Sequence, residues 1–81
     1  MSPRPIPTKL GQKLKQIRQH LGFTQDQMAA ILGRNETSRR ARIHEWETGK
    51  NQPDLLSLLN YAQSVGVSTD DLIDDDADLQ L

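Results

Sequence analysis

The chain has 81 residues, no cysteine, a mean hydropathy of -0.69 and a formal net charge of -1 at pH 7. This length allows one small domain with a compact, local core, and the lack of cysteine excludes disulfide bonds and thiolate chemistry. No apolar run is long enough to span a membrane, and the proline-rich start lacks the apolar segment of a signal peptide, so we expect a cytoplasmic protein.

The first part of the chain predicts an arm followed by a helix. Residues 1–7 contain three prolines and no periodic apolar pattern, which indicates an extended N-terminal arm. Thr8 is the expected cap of the helix that follows, and Gly22 is its expected end. The apolar residues between them recur at spacings of four, three and four, as on one face of a helix: Leu10, Leu14, Ile17 and Leu21.

Two more helices are predicted between Gly22 and Gly49. Thr24 can cap the first of them, and Gly33 ends it after an apolar face formed by Met28, Ala29, Ile31 and Leu32. In the second, Ile43, Trp46 and Glu47 share a face because they lie at i, i+3 and i+4. The basic residues then lie toward its start and outer side: Arg39, Arg40, Arg42 and His44. Cationic donors at the start of a short helix suit the major groove of DNA.

The remainder of the chain predicts two further helices and a tail. Pro53 is expected to start a fourth helix whose inward residues are Leu55, Leu58, Leu59 and Ala62. Ser68 or Thr69 is expected to cap a short fifth helix that returns Leu72 and Ile73 to the core. The sequence therefore predicts an all-α, compact five-helix bundle over residues 8–73, followed by a frayed acidic tail over residues 74–81.

The charge is unevenly divided along this chain. All ten lysines and arginines lie at or before Lys50, whereas six of the eleven acidic residues follow Thr69. Residues 1–69 therefore carry ten positive and five negative charges, a net of +5. A basic surface beside an acidic tail is typical of proteins that bind nucleic acid.

Together these features resemble the lambda Cro and repressor type of helix-turn-helix domain, the XRE-like family of small bacterial and phage regulators. The resemblance covers roughly Leu10 to Ile73 and rests mainly on Ile17-Arg18, Gly22-Phe23-Thr24-Gln25, Leu32-Gly33, Trp46-Glu47-Thr48-Gly49 and Val65-Gly66-Val67-Ser68. It implies a homodimeric transcriptional regulator, specifically a repressor, whose third helix reads double-stranded DNA in the major groove. The segment between Gly33 and Trp46 exceeds the family's usual length by about four residues, close to one helical turn. Residues 34–37 form either a longer loop, which we favour, or an added turn of helix.

The resemblance also implies roles for single residues. Base reading falls on Arg40 and Arg42, and on Arg39 if the extra residues lengthen the helix; Arg42 ranks first because its neighbour Ile43 is fixed in the core. Contacts with the DNA backbone are implied for Thr24, Gln25, His44, Lys50, Asn51 and Gln52. Arg18 is implied to pair with Glu47 and so to clamp the first helix to the end of the reading helix.

Two other functions remain compatible with the sequence. One is an antitoxin-type autoregulator with a toxin as its partner. The other is a protein-interaction adaptor that keeps the fold without binding DNA and contacts its partner through the acidic tail. An enzyme is not expected, because no nucleophile is paired with a base and no glycine loop suits a phosphate. No cofactor is expected, and neither His20 nor His44 has companion ligands at metal spacing.

Overall fold

The computed structural model describes residues 8–81, and the predicted arm over residues 1–7 lies outside the described residues. The described part contains five helices and no strand: α1 Leu10–Leu21, α2 Gln25–Ile31, α3 Arg39–Thr48, α4 Leu55–Val65 and α5 Thr69–Ile73. The predicted all-α, five-helix fold is confirmed. None of these helices is long and apolar enough to cross a bilayer.

Side-chain caps start three of the helices. At α2 the Gln27 backbone N–H donates to Thr24 Oγ1 over 3.1 Å, and the Thr24 N–H donates to Gln27 Oε1 over 2.8 Å, which satisfies two N–H groups that the helix leaves unpaired. Ser68 caps α5, as one of the two predicted alternatives. The prediction that Pro53 begins α4 is wrong, because Asp54 is the cap and accepts the N–H of Ser57.

The helix α3 packs against both α1 and α2, and α1 also contacts α4 and α5, which pack against each other. One apolar cluster joins all five helices, and its buried members are Leu10, Leu14, Ile17, Met28, Ala29, Leu32, Ile43, Trp46, Leu58, Tyr61, Ala62 and Leu72. Within α3 only Ile43 and Trp46 are buried. The position of this helix therefore depends on polar contacts as well as on apolar packing.

Some apolar side chains expected to face the core are exposed instead: Ile31, Leu55, Leu59 and Ile73. In α4 the buried face is set by Leu58, Tyr61 and Ala62, which lie at i, i+3 and i+4. Leu59 is rotated by about 100 degrees from Leu58 and so points off that face. Leu55 lies one turn before Leu58, at the start of the helix and beyond the edge of the core, where it is 84% exposed.

The end of the chain supplies the cap that α1 lacks. The prediction that Thr8 caps this helix is wrong, because Lys9 occupies the cap position and its side chain makes no capping bond. The Asp75 carboxylate instead accepts the N–H groups of Thr8 and Lys9 over 2.9 and 3.1 Å, and also the Thr8 hydroxyl over 2.9 Å. The acidic tail is thus attached to the domain at Asp75, where fraying was expected, and Leu79 packs against the core.

A buried lysine completes this exchange between α1 and the end of α5. Lys13 is 4% exposed, and its ammonium group donates to the carbonyl oxygens of Asp71 and Asp74 over 2.6 and 2.7 Å. The last carbonyls of a helix have no partner within the helix and carry partial negative charge, so a cation stabilises them. Lys13 of α1 therefore stabilises the end of α5, while Asp75, just after α5, caps the start of α1.

We expect Asp75→Ala to lower the midpoint of urea denaturation at neutral pH. The pKa of Asp75 is lowered by the hydrogen bonds from the backbone of Thr8 and Lys9, so its stabilising effect is present above the carboxyl's ordinary pKa and is lost as the pH falls through the lowered pKa. The difference between Asp75→Ala and the wild type should accordingly shrink on acidification. Asp78→Ala removes the same charge from the same tail and should have little effect at any pH.

The N-terminal part of α1 approaches the last turn of α3 closely at Gly11. A Cβ atom added at this residue would lie 2.6 Å from the backbone oxygen of Glu47 and 2.9 Å from that of Trp46. Backbone atoms cannot move aside as a flexible side chain can. The absence of a side chain at residue 11 is therefore a requirement of the α1–α3 contact.

We predict that Gly11→Ala destabilises the fold by about 1–3 kcal/mol, as overpacked cores commonly do. Alanine ordinarily favours a helix interior over glycine by about 1 kcal/mol, so the sign of the effect is diagnostic. Chemical denaturation measures it, and Gln12→Ala, on the exposed side of the same turn, is the control. A stabilised Gly11→Ala variant would contradict the close approach.

Candidate nucleic-acid interface

The segment between α2 and α3 is a loop, as favoured from the sequence. Residues 34–37 contain bends and turns but no helix, and α3 begins at Arg39. The extra residues therefore lengthen the connection and leave the start of the candidate reading helix unextended.

Arg34 braces this long loop. Its guanidinium group contacts Glu36 within the loop over 2.8 Å and Asp54 at the start of α4 over 3.1 Å. The guanidinium carbon also lies 5.1 Å from the centroid of the Trp46 ring, in the range of a cation–π interaction. The loop is thus held to α4 and to the aromatic core beneath α3.

A second arginine ties the start of α3 to α2. Arg39 Nε donates to Asp26 Oδ1 and Arg39 Nη2 donates to Asp26 Oδ2, each over 2.9 Å. Arg39 Nη1 donates to the Arg34 carbonyl over 3.3 Å. The hydrogen bond from Arg39, together with its positive charge and that of Arg40, lowers the pKa of Asp26. Arg39, a base-reading candidate from the sequence, is therefore engaged within the protein.

The predicted pair of Arg18 and Glu47 is present at the other end of α3. Arg18 Nε and Nη2 donate to the two Glu47 oxygens over 2.6 and 3.1 Å, and Arg18 Nη1 donates to the Phe23 carbonyl over 2.9 Å. The Glu47 side chain is only 3% exposed and that of Arg18 is 14% exposed. Gln25 Nε2 also donates to Glu47, over 3.2 Å, so α1, α2 and α3 meet at one carboxylate.

We predict that Arg18→Ala destabilises the fold by about 3–5 kcal/mol, because it leaves the buried Glu47 carboxylate without its counterion. The double variant Arg18→Met/Glu47→Met removes both charges and keeps apolar volume, so it should be clearly more stable than Arg18→Ala. Urea denaturation of both variants measures the difference. An unchanged midpoint for Arg18→Ala would exclude the clamp.

The two remaining arginines of α3, Arg40 and Arg42, lie on different sides of the helix. Arg40 lines an open cleft with Arg18, Thr24, Gln25 and Asp26, at the start of α2. His44 lies one turn after Arg40 on the same side of α3, and its Nδ1 atom is 3.4 Å from Gln25 Nε2. Three of the predicted DNA-backbone residues are therefore brought together beside Arg40.

Arg42 lies on the other flank of the helix. Residues two apart on a helix point about 200 degrees from one another, so Arg42 is directed away from the cleft that Arg40 lines. The pKa of Glu36 is lowered by that residue's own backbone hydrogen bond, by Arg34 and, at longer range, by Arg42. Arg42 therefore lies toward the loop between α2 and α3.

The remaining backbone candidates follow the last residue of α3. Lys50, Asn51 and Gln52 are all exposed, and the Lys50 ammonium lies 3.8 Å from Glu45 with its side chain 74% exposed. Such a loose surface pair contributes little to stability and leaves the cation available to another anion. The predicted set thus forms two groups, one beside α2 and one at the end of α3.

Two residues of this surface escaped the sequence reasoning. Asp26 holds Arg39, which lies 13 residues further along the chain, and Arg34 holds Asp54, which lies 20 residues further along. Helical periodicity reports neighbours three or four residues apart and so carries no signal for these pairs. The only sequence clue was the preference of an acidic residue for the first turn of a helix.

The comparisons with known proteins agree with this architecture. A family model described as a helix-turn-helix domain matches residues 11–75. The chain belongs to this helix-turn-helix family. The XRE-like, lambda repressor type of domain expected from the residues is therefore confirmed.

One curated relative within the helix-turn-helix family is the SPbeta prophage-derived uncharacterized HTH-type transcriptional regulator YonR of Bacillus subtilis (strain 168). It is 38% identical over 63 residues, which are 78% of this chain and 55% of the relative. The chain thus spans about half the length of this relative. Among solved structures, the P22 c2 repressor protein in complex with synthetic operator 9T matches with a TM-score of 0.68 at 21% identity. That match covers 82% of this chain and 94% of the repressor chain and shows a shared fold.

Proposed function

We propose that this protein is a sequence-specific, double-stranded DNA-binding transcriptional regulator, a repressor that reads the major groove with α3. The observation that carries the proposal is the surface on which Arg40 and His44 of α3 lie beside Thr24 and Gln25 of α2. A guanidinium group and several other polar side chains are thus presented on adjoining short helices, as base reading and phosphate positioning require. The relative's description as a transcriptional regulator and the operator complex of the P22 repressor support it.

Within this proposal the arginines of α3 take different roles. Among the described residues neither Arg40 nor Arg42 forms an ion pair, whereas Arg39 is held by Asp26. Either of the two unpaired arginines can make a two-pronged contact with guanine O6 and N7. The sequence ranked Arg42 first, but the shared cleft with the backbone candidates Thr24 and Gln25 now favours Arg40.

We further propose that the protein acts as a homodimer in the cytoplasm, without catalytic activity. A single domain with a few phosphate contacts binds DNA weakly, and joining two half-sites raises the apparent affinity through effective concentration. A two-fold operator would then mirror the two-fold axis of the protein. Neither a cofactor nor a metal is part of this proposal.

The test begins with selection of bound fragments from genomic DNA, which yields a cognate site and the spacing of its half-sites. Arg40→Ala and Arg42→Ala are then titrated against this site and against random duplex. The variant that lacks the reading arginine should lose about 1–3 kcal/mol on the cognate site and relax the preference at one guanine. Its loss on random duplex should be smaller.

Lys50→Ala and Gln25→Ala serve as the positioning controls for this experiment. Both should weaken binding to all duplexes about equally, and Lys50→Ala should reduce the salt slope by about one unit, because phosphate contacts carry no sequence information. A protein that shifts no duplex even at low salt would overturn the proposed function. Tight binding to another protein under those conditions would instead select the adaptor alternative.

A further inference from the structure

Arg39 and Asp26 form an ion pair at the start of the candidate reading helix, and none of the expected contacts with DNA depends on this pair. Arg39 presents two N–H groups to both oxygens of Asp26 over 2.9 Å and a third to the Arg34 carbonyl. All three nitrogens of the guanidinium group therefore already donate to an acceptor within the protein. The pair is nevertheless accessible, since the side chains of Arg39 and Asp26 are 30% and 54% exposed.

We propose that Asp26 limits sequence-independent binding to DNA by withholding Arg39 from the phosphates. This inference rests on the proposed DNA-binding function and concerns its specificity. Asp26 lines the same cleft as Arg40, Thr24 and Gln25, so its charge lies on the surface that would approach the duplex. Asp26 is a specificity-determining residue in this view, although it reads no base.

The physical argument starts from the balance of charge at this corner. Sequence-independent affinity comes almost entirely from cations that replace the counterions of phosphate. Paired with Asp26, Arg39 adds no net charge to the surface, and a phosphate can recruit it only by displacing a bidentate carboxylate with two good hydrogen bonds. Arg40 and Arg42 form no ion pair among the described residues, so a phosphate need not displace a bonded carboxylate to reach them. The pair therefore removes one of three α3 arginines from the electrostatic attraction and keeps it in a structural role.

Limiting sequence-independent affinity favours occupation of the cognate site, because random sites in a genome greatly outnumber it. A protein with three free arginines on one short helix would be distributed over those sites by charge alone. With the charge of Arg39 neutralised by Asp26, close docking depends more on contacts that only the correct bases supply. This effect depends on a single negative charge at residue 26.

The experiment measures affinity for random duplex as a function of salt for the wild type, Asp26→Asn, Arg39→Gln and the double variant. Asp26→Asn should bind random duplex several-fold more tightly, and its salt slope should be steeper by about one unit because Arg39 gains a phosphate. Arg39→Gln alone should leave the salt slope of the wild type unchanged. In the double variant the steeper slope should disappear, which ties the gain to Arg39.

A charge-matched control is available in Asp54→Asn. Asp54 is 52% exposed and also pairs with an arginine, but it lies outside the cleft, and Arg34 keeps Glu36 as a partner when Asp54 is neutralised. Asparagine caps a helix about as well as aspartate, so α4 should persist. This variant should not steepen the salt slope by a full unit.

Several outcomes would overturn the proposal. They are an unchanged slope for Asp26→Asn, a gain of equal size in the Arg39→Gln background, an equal gain for Asp54→Asn, or a slope reduced by one unit in Arg39→Gln alone. The last measurement decides the matter even if Asp26→Asn does not fold. A wild type that binds no duplex at low salt is a different result, because it removes the proposed function itself.

Discussion

Arg18 and Glu47 form the contact on which the rest of this small fold depends. A buried carboxylate is costly unless its charge is matched and its oxygens are hydrogen-bonded, and Glu47 meets both conditions through two bonds from Arg18 and one from Gln25. Because Arg18 also holds the Phe23 carbonyl, the same group of atoms fixes the turn between α1 and α2. One ion pair thereby sets the mutual positions of the first three helices.

The candidate reading helix is held at both of its ends by the same kind of bond. Its first residue, Arg39, makes a bidentate pair with α2, and Glu47 near its last turn makes one with α1. Between them only Ile43 and Trp46 enter the core, and no side chain caps the start of the helix. A polar helix with so small an apolar face needs such attachments. Because they hold the helix at its ends, the side chains of its outer surface need not pack against the rest of the domain.

Much of the fold was predictable because its signals are local. The spacing of Leu10, Leu14 and Ile17 gave the buried face of α1, and the Thr24 cap followed from its own chemistry. The errors arose where tertiary context decides, as at Leu59, which continues an apolar run but lies off the face that Tyr61 takes. Periodicity cannot show where a core ends.

The candidate site was predictable only where the family pattern supplied the pairing. Arg18 and Glu47 are 29 residues apart, and their contact was expected from the resemblance alone. Nothing in the sequence distinguished Arg39, which is tied to Asp26, from Arg40, which is not. The different contacts of these similar arginines depend on where carboxylates lie in space. The sequence also did not predict the environment of Tyr61. Its hydroxyl is buried without a hydrogen-bond partner in the described part of the chain, and burial raises the pKa of this hydroxyl.

The cap that Asp75 provides for α1 also limits how early the start of this helix can become stable during synthesis. Its hydrogen bond to Thr8 spans 67 residues, the largest sequence separation among the side-chain contacts described above. At a synthesis rate of about 5–20 residues per second, the N-terminal turn of α1 waits on the order of ten seconds for its cap. Until then water must satisfy these N–H groups, so the first helix of the nascent chain frays at the end that Asp75 later caps. The start of α1 therefore gains its cap only after every other helix of the domain has been synthesised.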